Sequence, residues 1–441
     1  MSRPGRTLLF ALLFGMALSP ATATQTKPLS RAEVMQLLRH AGHGEVFRLD
    51  EQQARIADPH LALLARARLA ASKLDAQAAC DLVDEYIASA PQPGERSLAW
   101  AITADASFAD GDYVTAAKAA HAWARSLGNS QRHADERTDA QQMAGLADLL
   151  ASVAPQTVDD YEPRAEALTR DKVGLLRANV RVNGKPQAMV IDTGANLSVM
   201  SLSTAHTLGL RMLDGDAHVG SASQQAVASR IGIAEHLHFA GLDLSDVPFL
   251  VLDDAQLAMP VPGGYQIDAI LGFPVLRQLQ RLTFTADGKL LPARSSGDAQ
   301  KDANLRMVGS DLYVKVQLGD MPVAMHLDSG ASHSSLSARF AAEHASMVKG
   351  WRTRKEGVGG AGGSRTRRVA TWSNVDVGIG VQHVTLPTLA VALDSAGNVK
   401  EPNVLGNDIL RAFDQWTLDF QRMEFTVGEA LHETSTRSST N

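Results

Sequence analysis

Val190-Ile191-Asp192-Thr193-Gly194-Ala195 returns 136 residues later as His326-Leu327-Asp328-Ser329-Gly330-Ala331. Ahead of each copy stands a run that reads as strand, glycine turn and strand, Val180 to Ile191 and Val314 to Leu327. Behind them, Ala269-Ile270-Leu271-Gly272 recurs as Asn403-Val404-Leu405-Gly406 at an offset of 134. A short helical pattern and then a strand follow each glycine. Between these landmarks Val219-Gly220 aligns with Val358-Gly359, 139 residues apart. One order of features at nearly one offset is an internal duplication, giving two β-rich lobes over 172–292 and 304–428.

A single Asp-Thr-Gly is a common turn and carries little. Two of them, one per duplicated lobe, can bring two carboxylates to one point. Carboxylates about 3 Å apart cannot both ionise, so they share a proton and titrate as a unit. Such a pair can accept a proton from water and donate one to a leaving amine, with no metal or cofactor. Gly194 and Gly330 let the backbone approach the carboxylates, leaving their amides free to donate.

The doubled motif resembles the aspartic peptidases of the retropepsin/pepsin superfamily, over roughly 172–428. The apolar pair before glycine stands 80 residues after Asp192 and 78 after Asp328. The resemblance implies a mainly β, bilobal, pseudo-twofold β-barrel fold of the tandem-lobe type. It implies catalysis by Asp192 and Asp328, with the Thr193 and Ser329 hydroxyls tying the two loops together. Gly272 and Gly406 would lie where a strand passes behind each catalytic loop. Flaps over the substrate would include Gly220 and Ser221 in one lobe, Gly359 and Gly360 in the other. Two places after each glycine, where the family usually carries an acidic or small hydroxyl residue, stand Asn196 and Ser332. His333 and His326 also stand where the first copy has Leu197 and Val190, and both read as buried structural histidines.

Upstream, 30–155 reads as an all-α domain of helical hairpins, with apolar positions at three- and four-residue steps. The turn Ala70 to Asp75 and its look-alike Phe108 to Tyr113 resemble those of tetratricopeptide repeats, although their spacing of 37 misses that family's period. Such a domain is a candidate protein-partner site, a spacer or a prodomain. Pro155 and Pro163, around Asp159-Asp160, mark a linker. Arg3 and Arg6, the apolar run Leu8 to Leu18 and Ala21-Thr22-Ala23 have the layout of a secretory signal peptide over 1–23. Eleven apolar residues fall short of the roughly 20 that span a bilayer. The expected product is exported, periplasmic or secreted, with a loose polar tail over 429–441.

Composition removes other classes. Hydrophobic residues are 45%, enough for real cores. The charge balance of 42 basic to 48 acidic residues disfavours a phosphate-binding surface, and 5% aromatics disfavours base stacking. The lone Cys80 excludes an intrachain disulfide and any multi-cysteine metal site. Gly357 to Gly362 formally matches the dinucleotide fingerprint, but a strand-like run follows it where a helix is required. The nearby Arg352, Arg354, Lys355, Arg365, Arg367 and Arg368 read as a solvated hairpin face, and His236 and His238 as part of an edge strand. The resemblance implies a monomeric aspartic endopeptidase acting on peptides or unfolded protein. Its rival is a peptide-binding protein of the same fold that does not cut.

Overall fold

The computed structural model describes residues 27–89, 92–220, 226–259, 263–297, 303–360, 363–394 and 401–431. The leader pattern, the tail from His432 onward and Ser221 lie outside them.

Among the described residues seven α-helices come first: α1 (Arg31–Ala41), α2 (Val46–Gln52), α3 (Pro59–Ser72), α4 (Ala76–Ala88), α5 (Arg96–Asp110), α6 (Tyr113–Leu127) and α7 (Ala134–Ala151). The two look-alike turns join the hairpins α3–α4 and α5–α6. In each an aspartate caps the second helix: Asp75 accepts from the Ala78 amide and Asp112 from the Thr115 amide, both at 3.0 Å. Gly111 ends α5 with φ of 86°, a conformation open to glycine. Alanines at Ala99, Ala104, Ala116, Ala119, Ala120 and Ala144 are buried, and their small side chains bring the helices close.

Each lobe is then built on the same plan. Strands Leu176–Val182 and Lys185–Ile191 form a hairpin through Asn183-Gly184, both at positive φ, the geometry of a tight hairpin turn. Asp311–Leu318 and Met321–Leu327 repeat it. The strand Ala269–Leu271 then runs parallel to Lys185–Ile191, pairing Ile270 with Val190 and Leu271 with Ile191. In the second lobe Val404 pairs with His326, and Leu405 with Leu327, also in parallel. Duplication in the sequence is thus duplication of register.

A shared five-stranded sheet joins the lobes, in the order Glu166–Ala167, Lys289–Ala293, Arg281–Thr285, Gln415–Asp419, Glu424–Val427. At its middle Thr283 and Thr417 hydroxyls meet at 2.8 Å, and Phe284 stacks on Trp416 with centroids 3.9 Å apart. One buried apolar cluster runs through both lobes.

Two readings from sequence need correction here. The stretch expected as a linker holds the strand Thr157–Tyr161, antiparallel to Leu242–Leu252, and Glu166–Ala167 enters the shared sheet. Tyr161 is the cause: its ring is buried, and its hydroxyl donates to the Leu279 carbonyl at 2.7 Å. His236 and His238 lie on Val227–Phe239, which is paired on both sides and is no edge.

Candidate active site

The parallel strand pairs bring the two Asp-Thr/Ser-Gly loops face to face. Thr193 donates its hydroxyl to the Leu327 carbonyl at 2.8 Å, and Ser329 donates to the Ile191 carbonyl at 2.9 Å. Each hydroxyl also accepts from the opposite backbone: the Thr193 amide reaches Ser329 Oγ at 3.0 Å, and the Ser329 amide reaches Thr193 Oγ1 at 3.1 Å. Four reciprocal bonds, all buried, clamp the loops together. They hold the following glycines against the aspartate of the other lobe. A Cβ on Gly194 would stand 2.8 Å from Asp328 Cγ, and one on Gly330 would collide with the Asp192 carboxylate. Close approach excludes any side chain at either position.

Each carboxylate is oriented by its own loop. The Gly194 amide donates to Asp192 Oδ1 and the Gly330 amide to Asp328 Oδ1, both at 2.8 Å. Surrounding protein raises the Asp192 pKa well above the ordinary carboxylate range. Desolvation is the larger cause, and the neighbouring Asp328 charge comes next. Burial and the facing Asp328 carboxylate both favour the protonated form at Asp192.

Gly272 and Gly406 lie against the backbones of the two loops. A Cβ on Gly272 would lie 2.7 Å from the Ala195 and Leu197 backbone, and one on Gly406 2.8 Å from that of His333. Sequence reading missed what fixes these crossings. The Gly272 amide donates to Ser198 Oγ at 3.1 Å and the Gly406 amide to Ser334 Oγ at 2.9 Å. Both serines stand six residues after their aspartate, a repeat visible at the common offset. The second lobe adds Asn407, whose amide nitrogen donates to the Ser329 and Ala331 carbonyls at 2.7 and 3.1 Å.

Both regions expected as flaps hold antiparallel strand pairs. Ala217–Val219 pairs with Val227–Ser229 beside Gly220. Thr353–Gly360 pairs with Gly363–Ala370, carrying Gly359 and Gly360 near its tip. A Cβ on Gly359 would lie 3.6 Å from Met259 Sδ, so the second flap reaches across to the first lobe. The basic face read as solvated is so only in part. Arg365 and Arg367 turn inward to Glu401, with Glu356 also bound to Arg367, and the pairs with Glu401 leave side chains only 10–12% exposed.

The two histidines part company. His333 is exposed, contrary to expectation, while His326 is 6% exposed with Nδ1 finding no hydrogen-bond partner among the described residues. Its ring tilts against Tyr313 at 5.8 Å, and its Nε2 stands 3.0 Å from the Cβ position of Gly194. Nearby Asp311 has its pKa raised, by burial first, with His326 pulling it down and Asp328 pushing it up.

Residues 178–275 match the family model described as aspartyl protease. A search of curated proteins finds no match. Among solved structures, a retropepsin-like aspartic protease from Rickettsia conorii aligns at 16% identity over 31% of this chain and 91% of that one, with a TM-score of 0.20.

Proposed function

We propose that the chain is an aspartic endopeptidase that hydrolyses peptide bonds of extended polypeptides. One observation carries this reading: two Asp-Thr/Ser-Gly loops are clamped across a pseudo-twofold axis with Asp192 desolvated beside Asp328. A water entering between the carboxylates loses a proton to the ionised member as its oxygen attacks the scissile carbonyl. The protonated member donates to the carbonyl oxygen, giving a neutral tetrahedral diol. Collapse of the diol breaks the carbon–nitrogen bond, one proton passes to the leaving amine, and the dyad returns to its singly protonated state. The Gly194 and Gly330 amides hold both carboxylates in line throughout. We place this activity outside the cytoplasm on the leader pattern of 1–23, and assign a protein-partner role to the helical domain.

The test is cleavage of a denatured, dye-labelled protein from about pH 3 to 7 by the wild type, Asp192→Asn and Asp328→Asn. Positioned acid–base groups are worth roughly 10² to 10⁴-fold each, so either change should remove detectable turnover. Turnover by both variants at the wild-type rate would refute the mechanism. A silent wild type that still binds peptide would make the chain a binding protein.

A further inference from the structure

Strand alternation separates two faces of the first lobe. Ile191, Met200 and Leu271 point into the lobe's core, whereas their neighbours Val190, Val199 and Ile270 point out of the other face, beside the dyad. On the reading above, a peptide lying against the catalytic loops would rest on that outer face. It is not bare. Leu197, Val199 and Ile270 are only 1%, 7% and 8% exposed, and they share one apolar cluster with Phe108, Tyr113 and Leu150 of the helical domain. Ala195, next in sequence after the catalytic glycine, packs on the same cluster.

The second lobe differs in part. His333, at the offset of Leu197, is exposed and Val404, at that of Ile270, is half-buried, while His326 and Ser335, at those of Val190 and Val199, are buried as well. The apolar cover over Leu197 and Ile270 therefore has no counterpart in the second lobe. Helix α7 runs along Ala217–Val219 of the first flap, and Leu149 Cδ2 stands 2.9 Å from the Cβ position of Gly215. At the end of α5, Arg277 of the first lobe donates to the Ala109 carbonyl at 2.6 Å and pairs with Asp110 at 2.9 Å. The helical domain is also anchored to the second lobe, through Asp50 on Arg306, Glu51 on Lys315 and Glu45 on Arg339. It bridges the two lobes, and its α5–α7 end lies on the first lobe's peptide-facing surface.

We propose that the helical domain is a resident lid on the first lobe's half of the cleft, and that an extended peptide must displace α5–α7 to reach the dyad. The proposal rests on the peptidase reading for the identity of the cleft. Opening breaks the apolar cluster at α6 and α7, the α7 contact with Ala217–Val219 and Gly215, and the Arg277 ties at the end of α5, while Asp50, Glu51 and Glu45 keep the second-lobe anchor. The helical domain thereby sets which substrates gain entry, favouring unfolded segments that compete for an apolar surface.

Two substitutions loosen the lid outside the dyad. Arg277→Glu sets a negative charge against Asp110, and Leu149→Asp puts one at the half-buried contact with the first flap. Each is expected to raise kcat/KM for a denatured, dye-labelled protein about tenfold, equal to about 1.4 kcal/mol of barrier. Affinity for the same unfolded polypeptide, measured in an Asp192→Asn background where nothing is cut, should rise by a like factor. Tighter binding without cleavage by any form would uphold the lid and refute the peptidase reading. Unchanged or weaker binding in variants that still melt cooperatively would overturn the lid. Should the variants fail to fold, oxidative footprinting of the Asp192→Asn chain decides. Saturating polypeptide should raise side-chain labelling of Tyr113 and Leu150, buried at the contact, and unchanged labelling there would overturn the proposal.

Discussion

The pair Asp192 and Asp328 was the most legible part of the molecule, because a duplicated motif at a fixed offset needs no knowledge of packing. The serines behind the loops were legible by the same offset, whereas the contrast between His326 and His333 was not. Adjacent strand and loop positions differ in burial according to what stands opposite, and for His326 that is Tyr313 and the Gly194 backbone. One consequence of the dyad concerns stability. Burial raises the Asp192 pKa, so the folded chain binds a proton that the unfolded chain releases near pH 4. The stabilisation from that proton is complete below the unfolded carboxyl value and is lost as pH rises through the raised folded value. An asparagine has no proton to lose. Asp192→Asn should therefore gain stability relative to wild type between pH 3 and pH 7. Denaturant midpoints at both ends of that range check it, and a difference that stays constant or reverses would show that the carboxylate is not held protonated.

At the level of elements, the hairpins and glycine crossings follow from local chemistry: Asn-Gly at a tight turn, alternating apolar residues, an aspartate capping each second helix. The charge of the second flap misled for a physical reason. Six basic residues in a glycine-rich stretch look solvated unless acids distant in sequence come to meet them. Glu401 lies 34 residues from Arg367 and accepts from it at 2.7 Å, while also binding Arg365. This half-buried acid ties the flap hairpin to the body of the lobe. Removing one partner of a desolvated pair leaves charge uncompensated, a cost of about 3 to 5 kcal/mol when burial is complete and less here. Glu401→Gln should free the hairpin locally, with amide exchange over 353–360 and 363–370 accelerating while that of Arg281–Thr285 in the shared sheet stays slow. Equal acceleration in both regions would mean that Glu401 supports the whole lobe. No change in either would mean the ion cluster holds nothing.

Across the whole molecule, the separation into helical and β-rich parts could be read from a change in sequence texture, but their docking could not. An amphipathic helix shows that some surface covers it without saying which, and Tyr113, Leu146 and Leu150 carry no mark that points to the first lobe. The anchor on the second lobe is equally long-range. Arg306 is 1% exposed, pairs with Asp50 at 2.7 Å, donates to the Ala303 and Leu305 carbonyls at 2.8 Å, and lies 5.3 Å from the Phe47 ring centroid. Beside it the Gly44 backbone sits on Tyr313, where a Cβ would come within 2.6 Å of the ring. Val308 and Tyr313 of the second lobe belong to the same apolar cluster as α1 to α5. Cores shared in this way couple the parts, so the intact chain should melt in a single transition, with helical and β signals lost together. Arg306→Ala removes a charge-assisted hydrogen bond worth about 1.5 to 3 kcal/mol and leaves Asp50 without that partner. Because the seven helices keep their own alanine-lined packing, the weakened joint is where cooperativity should fail first. In calorimetry the variant should show two transitions, the earlier one accompanied by helix loss alone in circular dichroism. A single transition merely shifted to lower temperature would show that the helical domain has no stability apart from the lobes it joins.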